Sequence, residues 1–242
     1  MPYPGDGVDN GTDIAELVRD EQGLALRTPD GVTVRAAVEH LSAPRRGRDL
    51  LGRAVKDALK RAGPGATAAG NPEVVDATAG LGADAFHLAA LGLSVTMLER
   101  VPAVAALLED ALARAAEGEL GEVARTAAAR LTLRNVDAAE WLAQRAERGE
   151  RPAVVLLDPM YPKQSKAALP SKGMALFREL VGQDDDAASL LEVAIRSAAH
   201  RVVVKRPVKA PYLGSLRPAG SLTGRTTRYD LYAPAAPAGS AE

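Results

Sequence analysis

The sequence predicts an α/β fold: a seven-stranded, mostly parallel sheet with helices on both faces, closing in an antiparallel hairpin and preceded by a small α+β unit. Three observations carry this reading. From Glu73 onward, short Val- and Leu-rich runs alternate with helical stretches, the pattern of βαβ units. Val154–Leu157 and Val202–Val204 are apolar throughout, as strands buried on both faces must be. The last two candidate strands, Gly220–Thr223 and Tyr229–Ala233, have no convincing helix between them and therefore read as a hairpin.

In chain order, Gly23–Thr28 and Val32–Val38 alternate apolar and polar residues around Thr28-Pro29-Asp30-Gly31, which predicts a hairpin. Arg45-Arg46-Gly47-Arg48 leads into a helix over Leu50–Arg61, and the Gly/Pro/Ala-rich stretch Ala62–Pro72 reads as a linker. The expected division is a small N-terminal unit with linker over 1–69, a main domain over 70–234 and a disordered tail over 235–242. Strands are expected at Val74–Ala77, Ser94–Leu98, Leu131–Val136, Ala153–Leu157 and Arg201–Lys205. Helices are expected at Asp84–Leu91, Pro102–Glu117, Ala138–Arg148 and Leu190–Ala199.

Composition narrows the chemistry. No stretch approaches the roughly 20 apolar residues of a membrane span, and the acidic, Gly-rich start lacks the basic and apolar regions of a signal peptide, so a cytoplasmic location is expected. The chain has no cysteine, and His40, His87 and His200 are scattered, which argues against disulfides, thiolate chemistry and a metal site. The net charge of −1 hides an asymmetry. Pro159–Gly182 holds four basic residues against one acidic, and Arg201–Asp230 holds seven against one. Positive charge beside the later strand ends suits a phosphate-bearing substrate, although a solvated surface reads equally well from charge alone.

The first strand of the main domain runs into Asp76-Ala77-Thr78-Ala79-Gly80-Leu81-Gly82-Ala83-Asp84, a glycine turn opening a helix. Gly80 and Gly82 let backbone approach a ligand without a Cβ in the way. The stretch also fits the dinucleotide pattern Gly-x-Gly-x-x-Ala, so a nicotinamide-dependent oxidoreductase is the competing reading. Charge argues against it: a pyrophosphate would sit at a helix N-terminus beside Asp84 and near Asp76. S-adenosylmethionine, with an ammonium and a sulfonium, suits those carboxylates better, and Asp84 could also cap its helix. Glu99, 17 positions after Gly82 at the second strand end, is placed to reach ribose hydroxyls of either cofactor. Asp137 is placed either to receive an adenine amino group or to cap the following helix.

The strand Val154–Leu157 delivers Asp158-Pro159-Met160-Tyr161-Pro162 to the same sheet edge, with two prolines stiffening it. This resembles the Asp/Asn-Pro-Pro-Tyr/Phe motif of methyltransferases acting on amino nitrogens of nucleic-acid bases. The lone pair of such an amine is delocalised into the ring. Asp158 Oδ and the Pro159 carbonyl can accept its two N–H bonds and turn the lone pair toward the methyl group, while Tyr161 stacks on the base.

Val74–Phe86, Met97–Leu108, Leu157–Lys166 and Val202–Pro207 (VVVKRP) together resemble the RsmJ family of small-subunit ribosomal RNA guanine-N2 methyltransferases, over about Leu51 to Ala233. The resemblance implies a Rossmann-like class I methyltransferase fold, S-adenosylmethionine as donor and a guanine of 16S rRNA in the 30S subunit as acceptor, guanosine 1516 in that family. It implies cofactor contacts at Ala83, Asp84, Glu99, Arg100, Asp137, Ala138 and Asp158, added to those expected at Asp76, Gly80 and Gly82. Lys205-Arg206-Pro207 is expected to grip phosphates, extended by Lys163, Lys166 and Lys172; the alternative for Arg206 is a structural pairing with Asp158 or Glu99. An amino-group methyltransferase on DNA, tRNA or a protein amide is the alternative with the same fold and cofactor.

Overall fold

The computed structural model describes residues 14–38, 49–62, 73–160, 172–181 and 186–235. At the N-terminus β1 (Glu16–Asp20), β2 (Gly23–Arg27) and β3 (Thr33–Val34) form a three-stranded antiparallel sheet, followed by α1 (Leu50–Ala62). The main domain continues with β4 (Val74–Asp76), α2 (Ala83–Ala90), β5 (Val95–Glu99), α3 (Pro102–Ala116), α4 (Glu122–Ala128), β6 (Leu131–Asn135) and α5 (Ala138–Glu147). It ends with β7 (Val154–Leu157), α6 (Lys172–Val181), α7 (Ala187–Ser197), β8 (Arg201–Pro207), β9 (Gly220–Thr223) and β10 (Thr227–Tyr232).

Seven strands form one sheet in the order β6-β5-β4-β7-β8-β10-β9. The first five are parallel and β10 is antiparallel to both β8 and β9, so the expected closing hairpin is present. Side chains alternate across the sheet as the pleat requires. Val74, Val154, Leu156 and Val203 join the core shared with α1 to α4, whereas Val75, Val155, Leu157, Val202 and Val204 face α5 and α7. Every residue of β4 and β7 is buried, which explains their uninterrupted apolar runs. The edge strand β6 is covered less and its sequence, LTLRN, is correspondingly more polar.

The N-terminal sheet differs from the expected hairpin. β1 pairs with β2 through the tight turn between Asp20 and Gly23, where Gly23 has φ +94°, while β3 shrinks to two residues. The remainder of the expected second arm leaves the sheet: Ala36 and Val38 bury themselves in the main core. The unit is tied to α3, where the Asp110 carboxylate accepts from Arg19 at 2.6 Å and from the Leu24 amide at 2.9 Å, and Arg114 donates to the Gln22 carbonyl.

Two helices went unpredicted. α4 is one short alanine-rich stretch whose Ala124 and Ala127 fill the space beside α2 and α3, too brief for its periodicity to register. α6 begins at Lys172, which was expected to extend the phosphate grip. Its Leu176 and Phe177 are buried against Val34 and Val104, so apolar packing outweighs the surrounding charge. The expected linker from 63 to 72 and the tail from 236 onward lie outside the described residues. No described helix is long and apolar enough to cross a membrane.

Candidate active site

β4 and β7 are neighbours, but the chain runs from β4 toward β5 and β6 on one side and from β7 toward β8 on the other. Doubly wound sheets bind ligands where the strand order reverses in this way. A cavity of ≈ 350 Å³ opens there, within the usual size range of small-molecule sites.

Asp76 closes β4 at 2% exposure, and its Oδ1 accepts the Thr78 N–H at 3.2 Å. Burial, reinforced by the negative charge of Asp84, pushes its carboxyl up to about 8 against the opposing pull of the Thr78 amide and Lys205. Gly80, at φ +51°, lines the cavity, and a Cβ there would lie 3.4 Å from Phe177 Cζ. Gly82 serves a different purpose from the expected ligand contact. It does not line the cavity; at φ +85° it begins α2, and a Cβ there would come within 2.8 Å of Leu108 Cδ2 and 3.1 Å of Phe86 Cδ2. Its missing side chain lets α2 close onto α3.

Ala83 and Asp84 face the cavity from the first turn of α2. Asp84 does not cap the helix, which has no side-chain cap; its Oδ2 instead accepts from Lys205 Nζ at 2.7 Å. Glu99, 5% exposed, lines the cavity and also fixes the turn, its two oxygens accepting from the Gly80 amide at 2.9 Å and the Val101 amide at 2.8 Å. Arg100 lines the same wall and pairs with Asp186 at 2.7 Å. Of the two roles expected of Asp137, the cap is present: its carboxylate accepts the Glu140 amide at 2.9 Å at the start of α5, and with Ala138 it borders the cavity.

On the catalytic side Asp158, Pro159 and Met160 enter the cavity wall, while Tyr161, Lys163 and Lys166 lie outside the described residues. Thr78, which the sequence reading passed over, joins the two strand ends: its Oγ1 accepts the Asp158 amide at 2.6 Å. Water in the cavity reaches 42% of the Asp158 side chain, yet protein packed around it and the nearby Asp84 charge push its carboxyl above the usual range, opposed by Lys205. Lys205 Nζ lies 2.9 Å from Asp158 Oδ2, so one ammonium bridges Asp84 and Asp158. Burial works against the Lys205 cation, but the two carboxylates outweigh it and raise its pKa.

The two cations expected to grip phosphates are thus engaged within the protein. Lys205 is held in the cavity wall, and Arg206, 4% exposed, donates to the Pro211 carbonyl at 3.0 Å. Lys172 is exposed at the start of α6. The sequence reading also missed part of the cavity wall: Met174 and Phe177 from α6, Ala187 and Leu190 from α7, and Ala37 from the N-terminal unit. The 3–4-residue spacing of Met174, Phe177 and Val181 was the available signal for α6.

The lining fits S-adenosylmethionine. Asp76, Asp84 and Asp158 offer carboxylates to a doubly cationic ligand, and Leu98, Val136, Ala138 and Phe177 offer an apolar surface for a flat ring. A pyrophosphate at the start of α2 would meet Asp84 instead, which disfavours a dinucleotide. Among the described residues no group of three or more His, Asp or Glu side chains could hold a metal ion.

Comparison with known proteins agrees with this chemistry. Residues 8–234 match the family SAM_MT, described as "Putative SAM-dependent methyltransferase". The chain is 46% identical over 215 residues to ribosomal RNA small subunit methyltransferase J of Chromohalobacter salexigens, covering 85% of this chain and 82% of that protein. It is 54% identical over 161 residues to the protein of the same name from Pseudomonas paraeruginosa, covering 66% of this chain and 60% of that one. The crystal structure of a SAM-dependent methyltransferase from Neisseria gonorrhoeae superposes with a TM-score of 0.69 at 33% identity, over 100% of this chain and 88% of its own. An S-adenosylmethionine cavity at the strand-order reversal, a family match over nearly the whole chain and close relatives of one kind lead to one assignment: the chain belongs to the S-adenosylmethionine-dependent methyltransferase family of ribosomal RNA small subunit methyltransferase J.

Proposed function

We propose that this chain methylates the exocyclic N2 amino group of a guanine in 16S rRNA, with S-adenosylmethionine as donor. The observation that carries the reading is Asp158: a carboxylate at a strand end, on the cavity wall, held from behind by Lys205 and followed by Pro159. The names of the relatives from Chromohalobacter and Pseudomonas support small-subunit rRNA as the acceptor. The partner is then the 16S rRNA of the 30S subunit, and the place of work the cytoplasm.

When bound, S-adenosylmethionine supplies a methyl group made electrophilic by its sulfonium. Asp76 and Asp84 would hold its cationic end, Gly80 would leave room for close backbone approach, and Asp137 and Ala138 would border the ring; all five line the cavity. Lys205 engages Asp158 Oδ2, which leaves Oδ1 without a partner among the described residues. Oδ1 accepts one N–H of the guanine amino group and the Pro159 carbonyl the other, so the nitrogen lone pair turns toward the methyl group. As the N–C bond forms and the C–S bond breaks, Asp158 stabilises the positive charge growing on nitrogen and then receives its proton. The ammonium of Lys205 favours the ionised form of Asp158 against the burial that raises its carboxyl.

Mass-spectrometric mapping of methylated 16S nucleotides, made with and without the protein, tests the reading. A guanine-N2 methyl that appears with the wild type and disappears with Asp158→Ala, while S-adenosylhomocysteine binding persists, supports it. Methylation confined to DNA, tRNA or protein amides would refute the acceptor. Tight NAD binding with no affinity for S-adenosylhomocysteine would refute the cofactor assignment.

A further inference from the structure

Between β8 and β9 the chain runs from Val208 to Ala219 without helix or strand, yet the segment is built firmly. Arg206 donates to the Pro211 carbonyl, and Arg228 donates to the carbonyls of Val208 at 2.8 Å and Ala210 at 3.1 Å. Arg228 is itself fixed by the fully buried Asp230, at 2.7 and 2.8 Å, to which Ser221 also donates at 2.6 Å. Leu213 is buried in the core layer beneath α7. Gly214, at φ +64°, passes so close to Ala188 that a Cβ would lie 3.3 Å from its side chain. Ala188 stands between Ala187 and Ser189, both on the cavity wall, and Lys205, also on that wall, is three residues upstream of Val208. The loop therefore borders the active site.

Its outer side has the opposite character. Four large hydrophobic side chains are exposed among the described residues, and two of them, Tyr212 and Leu216, each 40% exposed, are in this loop. Arg228 lies over the Tyr212 ring, 5.1 Å from its centroid, supporting it from the protein side. Lys209 and Arg217 in the loop and Arg225 in the neighbouring β9–β10 turn are exposed and make no ion pair with a described residue. From Lys205 to Tyr229 the sequence carries six basic residues and no acidic one, in a chain of net charge −1. A loop serving the fold alone has no need to hold an aromatic ring in water among unpaired cations.

We propose that this loop is a docking surface for single-stranded RNA, on which Tyr212 stacks on a base near the target guanine and Lys209 and Arg217 hold the flanking phosphates. The proposal rests on the rRNA reading above and assigns the contacts with the strand to residues outside the cavity. Aromatic platforms bordered by cations bind single strands in this manner, because every base has a stacking face and every nucleotide a charge. A protein partner is disfavoured because the exposed apolar area is confined to two side chains set among cations.

The test uses the full chain, a single-stranded 16S-derived RNA containing the target guanine, S-adenosylhomocysteine calorimetry and thermal melts. Tyr212→Ala is expected to weaken RNA binding by about 5- to 150-fold, the range for losing one stacked base, with S-adenosylhomocysteine affinity within about twofold of wild type. Tyr212→Phe, which keeps the ring, is expected to bind RNA as wild type does. The double variant Lys209→Gln/Arg217→Gln is expected to lower the slope of log affinity against log salt by about 1.4, roughly 0.7 for each phosphate contact. The proposal is overturned if the wild type methylates rRNA and these variants bind it unchanged, or if Tyr212→Ala lowers ligand affinity and melting temperature in step with RNA binding. A wild type that methylates rRNA while these variants gain RNA affinity equally overturns it; a wild type that methylates no RNA fails the rRNA reading first.

Discussion

Replacing Lys205 by methionine removes one ammonium from between two carboxylates and leaves a side chain of similar length. Lys205 Nζ sits 2.7 Å from Asp84 and 2.9 Å from Asp158. At 2.9 Å a pair of unit charges is worth about 1.4 kcal/mol at the dielectric of water and about 6 kcal/mol at an effective dielectric of 20. Because the cavity side of Asp158 is 42% exposed, the lower part of that range applies. A loss of roughly 1.4 to 3 kcal/mol in transition-state stabilisation corresponds to about a 10- to 150-fold fall in single-turnover rate at pH 7. The pH profile carries more information than the rate. In the wild type burial and Asp84 raise the Asp158 carboxyl above its usual range and Lys205 pulls it back down; without the cation the first two push it further up. Asp76 and Tyr229, also near this cluster, supply no compensating positive charge, and Arg206 exerts only the weakest of the pulls on the Asp158 carboxyl. The variant should therefore need a higher pH than the wild type to reach its full activity, and Lys205→Arg should keep most of the rate. The assay is single-turnover methylation of 16S rRNA with radiolabelled S-adenosylmethionine, alongside S-adenosylhomocysteine calorimetry. A Lys205→Met rate within twofold of wild type at pH 7, or a pH profile superimposable on it, would refute the assignment of Lys205 as the residue positioning Asp158.

Asp76 gives a second pH signature. Its carboxyl titrates near 8 in the fold and near 3.8 when unfolded, so the folded state holds the extra proton between those values and stability falls as pH rises through them. Asp76→Asn should melt higher than wild type at pH 8, by about 4 °C or more, and alike at pH 4; equal melting at both pH values would contradict the burial argument. If Asp76 meets the ligand's ammonium, S-adenosylmethionine binding at pH 7 releases a proton, and the calorimetric heat should differ between Tris and phosphate buffers. Gly82→Ala combines a left-handed φ with a contact at 2.8 Å, a cost of roughly 2 to 5 kcal/mol. Differential scanning calorimetry should show a markedly lower melting temperature, whereas S-adenosylhomocysteine affinity in the still-folded protein should hold. Thr78→Val removes the acceptor of the Asp158 amide, leaving an unsatisfied N–H worth about 1 to 3 kcal/mol; a rate loss near tenfold with ligand affinity preserved is the expected split.

The sheet could be read from sequence because burial on both faces permits little besides Val, Leu and Ala, so β4, β7 and β8 announce themselves. The site residues followed because parallel strands deliver their carboxyl ends to one edge, which makes Asp76, Glu99 and Asp158 conspicuous at the ends of such runs. Pairings across the fold were beyond reach. Lys205 reads as a surface cation until its partner Asp84, 121 positions away, is brought beside it. Gly82 reads as a ligand glycine until Leu108 is seen above it. α6 escaped because Lys172 at its start reads as a phosphate contact, while the surface that buries Leu176 and Phe177 comes from Val34 and Val104, distant in sequence.

The N-terminal sheet looks like an attachment to the methyltransferase domain, but it forms part of the cavity's frame. The Ala37 amide donates to the Leu81 carbonyl inside the glycine turn at 2.7 Å, Ala37 itself borders the cavity, and Gly173 of α6 rests 3.4 Å, measured from an ideal Cβ, from the Thr33 carbonyl. A segment outside the doubly wound fold therefore supplies one lining residue, Ala37, and a support for α6. Fraying of that small sheet would loosen the grip on S-adenosylmethionine at temperatures where the large sheet is still intact. Ligand affinity would then report the melting of the N-terminal strands, and a domain cut at the linker would fold around an incomplete cavity.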